Sequence, residues 1–262
     1  MKTSIVVGSA LIAASCSLSV FSVSSSANAA ALTPVDLELS FLVDVSGSVD
    51  SGEFNLQQNG YVDVFNNPDL FNNFISKGQL GTIAVNLIYW SSEGEQQEAV
   101  GWTLIDSVAA SQSFANAISA AGRPFFGLTA PGSAIAFATP RFFNNDFDGT
   151  RLVIDVSGDG AENDGLDTAT ARDNALAAGI DAINGLVIGG NPFVLDFYNN
   201  EVKGGPNSFV VQTDDFADFG TTIAEKIKRE IVQDVPEPAS VFSLLAFGLL
   251  GTSSKLKRQQ KN

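Results

Sequence analysis

Small oxygen-bearing side chains follow separate apolar stretches of this sequence. Asp44, Ser46 and Ser48 come directly after one apolar run. Thr129 lies in a Gly-x-Thr-x-x-Gly loop, and Asp159 follows a later apolar run. Carboxylate and hydroxyl oxygens are the ligands that hard divalent cations prefer in proteins. Three separate loops therefore offer small oxygen ligands that a divalent cation could use.

The spacing and charge of the five residues suit a cation that also binds a partner. Positions i, i+2 and i+4 of an extended loop point the same way, so Asp44, Ser46 and Ser48 can face one ion. Asp44 and Asp159 roughly neutralise a 2+ charge, and neutral hydroxyls leave the ion able to accept a partner's carboxylate. The favoured ion is Mg²⁺, with Mn²⁺ or Ca²⁺ as alternatives.

Each of these residues also has a structural interpretation. Asp44 and the serines after it could form an Asx-type turn that caps a helix near Ser51. Thr129 could be the N-cap of a helix that begins at Pro131. Asp159 precedes a glycine, as in many turns. Their joint occurrence, in order, at the ends of apolar runs favours the metal site.

Composition excludes several classes of function. The 262 residues contain no histidine, so a histidine-zinc site or a Ser-His-Asp triad is excluded. The single cysteine, Cys16, lies in the N-terminal apolar segment. A formal net charge of -15 argues against binding of nucleic acid or an anionic membrane by charge. Most of the familiar hydrolases are therefore excluded.

The N-terminus predicts export. Lys2 is followed by an apolar run over residues 5–23 and by the tripeptide Ala27-Asn28-Ala29. A charged start, an apolar middle and an Ala-x-Ala site are typical of a secretory signal peptide. We assign residues 1–29 to it, with cleavage after Ala29.

The C-terminus predicts sorting. Pro236-Glu237-Pro238 precedes an apolar run over residues 239–251 and a basic tail. Thirteen helical residues span only about 20 Å, less than a hydrocarbon core of ~30 Å. Residues 235–262 resemble the PEP-CTERM sorting signal of bacteria that have an exosortase. That resemblance implies an exosortase as partner and transient inner-membrane retention through 239–251, before release or attachment at the cell surface.

The body, residues 30–234, alternates strand and helix patterns and contains no internal linker. We therefore predict one α/β domain, with a doubly wound, mostly parallel central sheet. A polar link between the apolar segments 83–90 and 99–104 predicts one antiparallel hairpin. Ligands of such sheets bind beyond the carboxyl ends of the strands, at the point where strand order reverses. The predicted strands are 36–43, 83–90, 99–104, 152–156, 183–188 and 209–211, and the helices are 51–75 with a break at Pro68, 107–121, 131–143, 168–178 and 216–231.

These motifs resemble the von Willebrand factor A domain and its metal-ion-dependent adhesion site. The resemblance implies Asp44, Ser46 and Ser48 as ligands from the first loop, Thr129 from the second and Asp159 from the third. Segments 154–160, 183–186 and 204–209 look closest to a bacterial branch of this superfamily whose function is unknown.

We therefore expect an exported, surface- or matrix-associated adhesion domain that binds a carboxylate of a protein or polysaccharide through the cation. One alternative is a structural extracellular-matrix component without a functional metal site. Another is an exported metal-dependent hydrolase with Asp44 and Asp159 as ligands.

Three further features have open interpretations. Asp155 lies inside an apolar strand, either as a buried hydrogen-bonded carboxylate or at the sheet end. The acidic loop 162–167 is a solvated loop in preference to a second cation site. Phe125 and Phe126 beside Gly127 belong to the core or contact a partner.

Overall fold

The structure is a computed structural model, and it describes residues 31–233. The predicted signal peptide and the predicted sorting signal lie outside the described residues. Between residues 31 and 233, no helix is both long enough and apolar enough to cross a membrane.

A six-stranded sheet forms the centre of the domain, with the strand order β4-β3-β2-β6-β7-β8. All neighbours are parallel except β3 and β4, which form the predicted antiparallel hairpin. The predicted fold class is therefore confirmed. The strands are β2 Leu37–Asp44, β3 Ile83–Trp90, β4 Gln96–Ile105, β6 Leu152–Gly158, β7 Ala182–Ile188 and β8 Val210–Thr213; a separate parallel pair consists of β1 Thr33–Val35 and β5 Phe147–Gly149.

Seven helices cover the sheet in the described part of the chain. Their starts carry ordinary signals: Asp50 and Glu53 form a capping box before the first helix, and Pro68, Pro131 and Pro192 occupy first-turn positions. The helices are α1 Ser51–Asn66, α2 Pro68–Asn73, α3 Val108–Ala120, α4 Pro131–Phe142, α5 Thr168–Ala178, α6 Pro192–Phe197 and α7 Phe219–Val232.

The central strands are buried because helices pack on both faces of the sheet. Every residue of β2, β3 and β7 is buried, which explains the nearly continuous apolar sequences of β3 and β7. Helices α1, α3 and α7 form a first core with one face of the sheet. Helices α4, α5 and α6 form a second core with the opposite face. The first core contains an aromatic cluster of Phe41, Tyr61, Phe65, Phe114 and Phe219.

Strand order reverses at β2. The chain leaves β2 for β3 on one side and later returns to β6 on the other side. The carboxyl ends of β2 and β6 therefore form the point at which the sheet favours a ligand site.

The prediction lacked the β1–β5 pair, the 3₁₀ turn Ile75–Lys77, helix α6 and the π-helical turn Tyr198–Val202 that follows α6. The final helix begins at Phe219 and not at 216, because Asp215 accepts hydrogen bonds from the N–H groups of Ala217 and Asp218 in a turn before it.

The acidic residue inside β6 belongs to a buried triad of Asp155, Lys226 and Glu230. Lys226 Nζ lies 2.6 Å from Asp155 Oδ1 and 2.6 Å from Glu230 Oε1, and all three side chains are buried. Asn184 Nδ2 also donates to Glu230 Oε1 at 2.9 Å. Burial and the charge of Asp155 raise the pKa of Glu230 above its ordinary value of 4.5. Asp155 is thus a buried, ion-paired carboxylate.

This triad predicts a pH dependence of stability. Because the folded-state pKa of Glu230 is raised, the folded protein binds its proton more tightly than the unfolded chain does. The free energy of unfolding should therefore fall as pH rises above 4.5, by up to ~1.4 kcal/mol for each unit of raised pKa. Glu230→Gln should weaken this decline in urea denaturation between about pH 5 and 8.

Glu225→Gln is the matched control, because Glu225 is exposed on the same helix and pairs with Lys228. It should follow the wild-type pH profile. A Glu230→Gln profile parallel to wild type would contradict the assignment.

Candidate metal centre

The carboxyl ends of β2 and β6 bring four of the five candidate ligands together. The N–H of Ser46 donates to Asp44 Oδ1 at 2.7 Å, and the hydroxyls of Ser46 and Ser48 share a hydrogen bond of 3.1 Å. Ser48 Oγ donates to Asp159 Oδ1 at 2.7 Å, although the two residues are 111 positions apart. We call these four residues the β2–β6 cluster.

Thr129 lies beside this cluster. Its side chain is 5% exposed, and a Cβ placed on Gly160 would lie 3.4 Å from Thr129 Oγ1. Thr129 and Asn163 hold each other: Thr129 N–H donates to Asn163 Oδ1 at 2.8 Å, and Asn163 N–H donates to Thr129 O at 3.0 Å. The structure thus places Thr129 next to Gly160, the residue after Asp159, with no hydrogen bond from its side chain to the cluster in residues 31–233.

The structural interpretations account for these residues only in part. The N-cap of α4 is Ala130, not Thr129, and Asp50 caps α1. Asp44 does form an Asx turn, since its Oδ1 accepts from Ser46 N–H. That turn uses Oδ1 of Asp44 and leaves Oδ2 without a hydrogen-bond partner among the described residues.

The second oxygen of Asp44 is the exceptional atom of the site. Asp44 is fully buried, and its Oδ2 has no hydrogen-bond partner among the described residues. Burial, and secondarily the charge of Asp159, raises the pKa of Asp44 to about 7, and burial also raises the pKa of Asp159. A buried, unpaired carboxylate oxygen beside a second carboxylate fits a divalent cation, which would compensate both charges.

Besides Asp44 and Asp159, any further ligands of a cation at this site would have to be neutral. Within residues 31–233 no group of three or more acidic, histidine or cysteine side chains could hold a metal ion. Two carboxylates with serine and threonine hydroxyls suit a hard, oxygen-seeking ion.

Arg123 holds the first loop, and nothing in the sequence indicated it. Its Nη2 donates to the carbonyl oxygens of Val45 at 2.9 Å and Ser46 at 2.7 Å. Its guanidinium carbon lies 4.1 Å from the ring centroid of Phe126. The main chain on both sides of the Asx turn is therefore fixed.

The second loop is held by two serines at the end of β3. Ser91 Oγ donates to Leu128 O at 3.2 Å and accepts from Gly127 N–H at 2.7 Å. Ser92 Oγ accepts from Leu128 N–H at 2.7 Å. The adjacent serines after an apolar strand were a signal for this role.

The acids of loop 162–167 accept hydrogen bonds within the protein. Glu162 Oε2 accepts from the N–H and hydroxyl of Thr168, and Asp164 Oδ2 accepts from Glu93 N–H. Asp167 caps α5. These contacts favour the structural interpretation of the loop.

Gly158 makes room for the buried carboxylate. A Cβ at this position would lie 2.7 Å from Asp44 Oδ2, which is closer than Cβ atoms approach other atoms. We expect Gly158→Ala to lower the free energy of unfolding by about 1–3 kcal/mol because Asp44 or its neighbours must shift. Chemical denaturation measures this loss.

Gly101→Ala is the control, since a Cβ at Gly101 meets no atom within 4 Å. It should be as stable as wild type or slightly more stable. Equal stability of both alanine variants would contradict the close packing at Gly158.

Solved structures share this fold at low sequence identity. Proximal thread matrix protein 1 (PTMP1) from the mussel byssus is 17% identical, with a TM-score of 0.57 over 76% of this chain and 46% of that chain. A second PTMP1 structure is described as having a zinc occupied MIDAS motif (16% identity, TM-score 0.54, 75% of this chain and 46% of that chain). The von Willebrand factor type A protein from Catenulispora acidiphila is 15% identical, with a TM-score of 0.53 over 77% of this chain and 44% of that one.

The PilB minor pilin from Streptococcus sanguinis is 14% identical, with a TM-score of 0.54 over 75% of this chain and 62% of that chain. The chain thus spans about half the length of the solved structures it matches. No curated protein matches the sequence significantly. A family model described as "Protein of unknown function (DUF1194)" matches residues 34–235, so the chain belongs to that family, and its domain has the von Willebrand factor A fold.

Proposed function

We propose that this protein is an exported binding domain that engages a partner's carboxylate through a divalent cation. The cation would be held by Asp44, Ser46, Ser48, Thr129 and Asp159. The observation that carries the proposal is the buried Asp44 Oδ2, which has no partner among the described residues and lies at the reversal point of the sheet. Its desolvation is unfavourable unless a positive charge compensates it.

The residues divide the work of such a site. Asp44 and Asp159 supply the negative charge, and the serine and threonine hydroxyls supply neutral oxygens. When bound, the cation supplies an electrophilic position that a carboxylate can occupy. Arg123 keeps the first loop fixed by binding its carbonyl oxygens.

The overall charge explains why a cation would be needed. With a formal net charge of -15, the protein repels a carboxylate-bearing partner at long range. A cation at the carboxyl ends of β2 and β6 reverses the sign of the potential at that one place. Partner binding would then depend on the cation.

Three similar structures support the adhesive or matrix setting. PTMP1 is a thread matrix protein, one of its structures has a zinc occupied MIDAS motif, and PilB is a minor pilin. We propose Mg²⁺ as the ion, with Mn²⁺ and Ca²⁺ as alternatives, and add Zn²⁺ to the test because of the mussel protein. The partner is a protein or polysaccharide, at the cell envelope surface or outside the cell, after export and exosortase processing.

A structural matrix role is the second candidate. PTMP1 is a matrix protein, and the Ser48–Asp159 hydrogen bond closes the β2–β6 cluster without an ion. We rank catalysis below both, because the sequence has no histidine and both cluster carboxylates would serve as ligands.

The cation is tested first by thermal unfolding of the full chain after chelation, with Mg²⁺, Mn²⁺, Ca²⁺ or Zn²⁺ added back. Saturation to about a hundredfold over Kd should add ~2.7 kcal/mol, or roughly 5–10 °C in Tm. Asp44→Asn should abolish this response. In chelator it should melt no lower than wild type, because it removes a buried carboxylate charge.

Asp148→Asn makes the same charge change on β5, where Asp148 is exposed and lies near the amino end of β2. It should keep the full response to cations. An equal shift in Asp44→Asn, or no shift with any of the four ions, would overturn the proposed site.

Apolar side chains flank the proposed site. Phe126 is 65% exposed and Leu128 is 53% exposed, and both belong to the loop whose Gly127 O accepts from Gly47 N–H. Phe125, in contrast, packs against the first core. The carboxylate of the partner would therefore sit beside an apolar group.

Two simple carboxylates probe this arrangement. In saturating Mg²⁺, 3-phenylpropionate should bind roughly two- to tenfold tighter than acetate, since one aromatic contact is worth about 0.5–1.5 kcal/mol. Phe126→Ser should remove the difference and lower Mg²⁺ affinity only slightly, because Arg123 keeps its hydrogen bonds to Val45 and Ser46. Phe143 is an exposed phenylalanine at the end of α4, and Phe143→Ser should retain the difference between the two carboxylates. NMR titration decides, and equal binding of both carboxylates would contradict the apolar rim.

A further inference from the structure

Tyr198 is fixed in the second core with its hydroxyl near the metal centre. It is fully buried and begins the π-helical turn after α6. Two glycines on neighbouring strands make room for it. A Cβ on Gly185 would lie 2.8 Å from Tyr198 Cδ1, and a Cβ on Gly158 would lie 2.7 Å from the Tyr198 hydroxyl. Short π-helical segments of this kind often occur at functional sites.

The hydroxyl of Tyr198 faces the same point as Asp44 Oδ2. Both oxygens lie 2.7 Å from the position that a Cβ on Gly158 would take, so they are no more than twice that distance apart. Neither has a hydrogen-bond partner among the described residues, and both are buried. The Tyr198 hydroxyl and Asp44 Oδ2 are thus two unsatisfied polar atoms that border the space a side chain at position 158 would fill.

The two atoms are chemically complementary. A phenol hydroxyl donates one hydrogen bond, and a carboxylate oxygen accepts more than one. Each buried polar atom without a partner costs stability, and native proteins contain few of them. Two such atoms, one donor and one acceptor, facing the same point are explained if they bond to each other when the site is in use.

We propose that Tyr198 is a positioning residue of the cation site, whose hydroxyl donates a hydrogen bond to Asp44 Oδ2, directly or through one water molecule. This inference rests on the proposed function. Asp44 Oδ1 is already held by Ser46 N–H, so the Tyr198 bond fixes the second oxygen and with it the orientation of the carboxylate. Hydrogen bonds to metal ligands of this kind orient them and raise affinity.

Tyr198→Phe tests the role because it removes only the hydroxyl. The full chain should bind the cation about 10–100-fold more weakly by calorimetry, using whichever of Mg²⁺, Mn²⁺, Ca²⁺ and Zn²⁺ binds wild type most tightly. In chelator, Tm should be equal to wild type or higher, because an unsatisfied buried hydroxyl is gone.

Tyr61→Phe is the matched control with the opposite pattern. Tyr61 is also fully buried, but its hydroxyl shares a 3.3 Å hydrogen bond with Ser157 Oγ. Tyr61→Phe should lower Tm and leave cation affinity unchanged. A purely space-filling Tyr198 would instead give Tyr198→Phe the affinity of wild type.

A second measurement follows Tyr198 in the wild-type protein, where its hydroxyl is present. The protein has three tyrosines, so 3-fluorotyrosine labelling should give three ¹⁹F NMR signals. The signal lost in Tyr198→Phe should move on cation addition in wild type and stay in place in Asp44→Asn. If Tyr198→Phe does not fold, the Tyr61→Phe and Tyr89→Phe spectra assign the signal by elimination.

The outcomes separate the two hypotheses. If wild type binds a cation but Tyr198→Phe binds it equally well, or the Tyr198 signal does not move, the inference fails and the cation site remains. If no cation binds wild type, the proposed function fails and the inference fails with it.

Discussion

A carboxylate oxygen without a partner among the described residues lies at the end of the central strand, and much of the local structure is arranged around it. Asp44 ends β2, the strand that pairs with β3 on one side and β6 on the other. Its carbonyl oxygen accepts from Gln57, the carbonyls after it accept from Arg123, and Gly158 leaves space for its side chain. These contacts keep a desolvated carboxylate in one place, although its desolvation opposes folding. Binding sites commonly retain such local conflicts.

Asp155 and Asp44 are both fully buried, but their surroundings differ. Asp155 meets Lys226 on α7, so the protein supplies the compensating charge itself. At the carboxyl end of β6, Asp44 and Asp159 lie together, and the nearby Arg123 binds main-chain oxygens. Asp155 thus has a cationic partner within the domain, whereas Asp44 has no ion-pair partner among the described residues. This difference is the reason that we propose a binding role for Asp44 and a packing role for Asp155.

Much of the fold could be predicted because the strands and helices have a strong hydrophobic periodicity. The bounds of β3 and α5 agree with the prediction, and the cluster of Asp44, Ser46, Ser48 and Asp159 forms where strand order reverses. The three-residue strands β1 and β5 could not be read, because each is defined by its pairing with the other across the chain. Arg123 reaches the first loop and Tyr198 reaches Gly158 only through tertiary contacts, so no local sequence pattern marks either residue. The pairing of Asp155 with Lys226 could not be predicted either, because it arises only from the packing of α7 on the sheet. Lys226 and Glu230 do lie among apolar positions of that helix.

The distance in sequence between the two halves of the site has a kinetic consequence. Ser48 and Asp159 are 111 residues apart, and they meet only after β2 and β6 have paired. Such non-local pairing forms late in folding because loop closure precedes the contacts that reward it. A partly folded chain therefore lacks the assembled β2–β6 cluster, and an ion bound to that cluster in the folded protein would slow unfolding without speeding folding. The four residues of the β2–β6 cluster therefore come together only once the central sheet has formed.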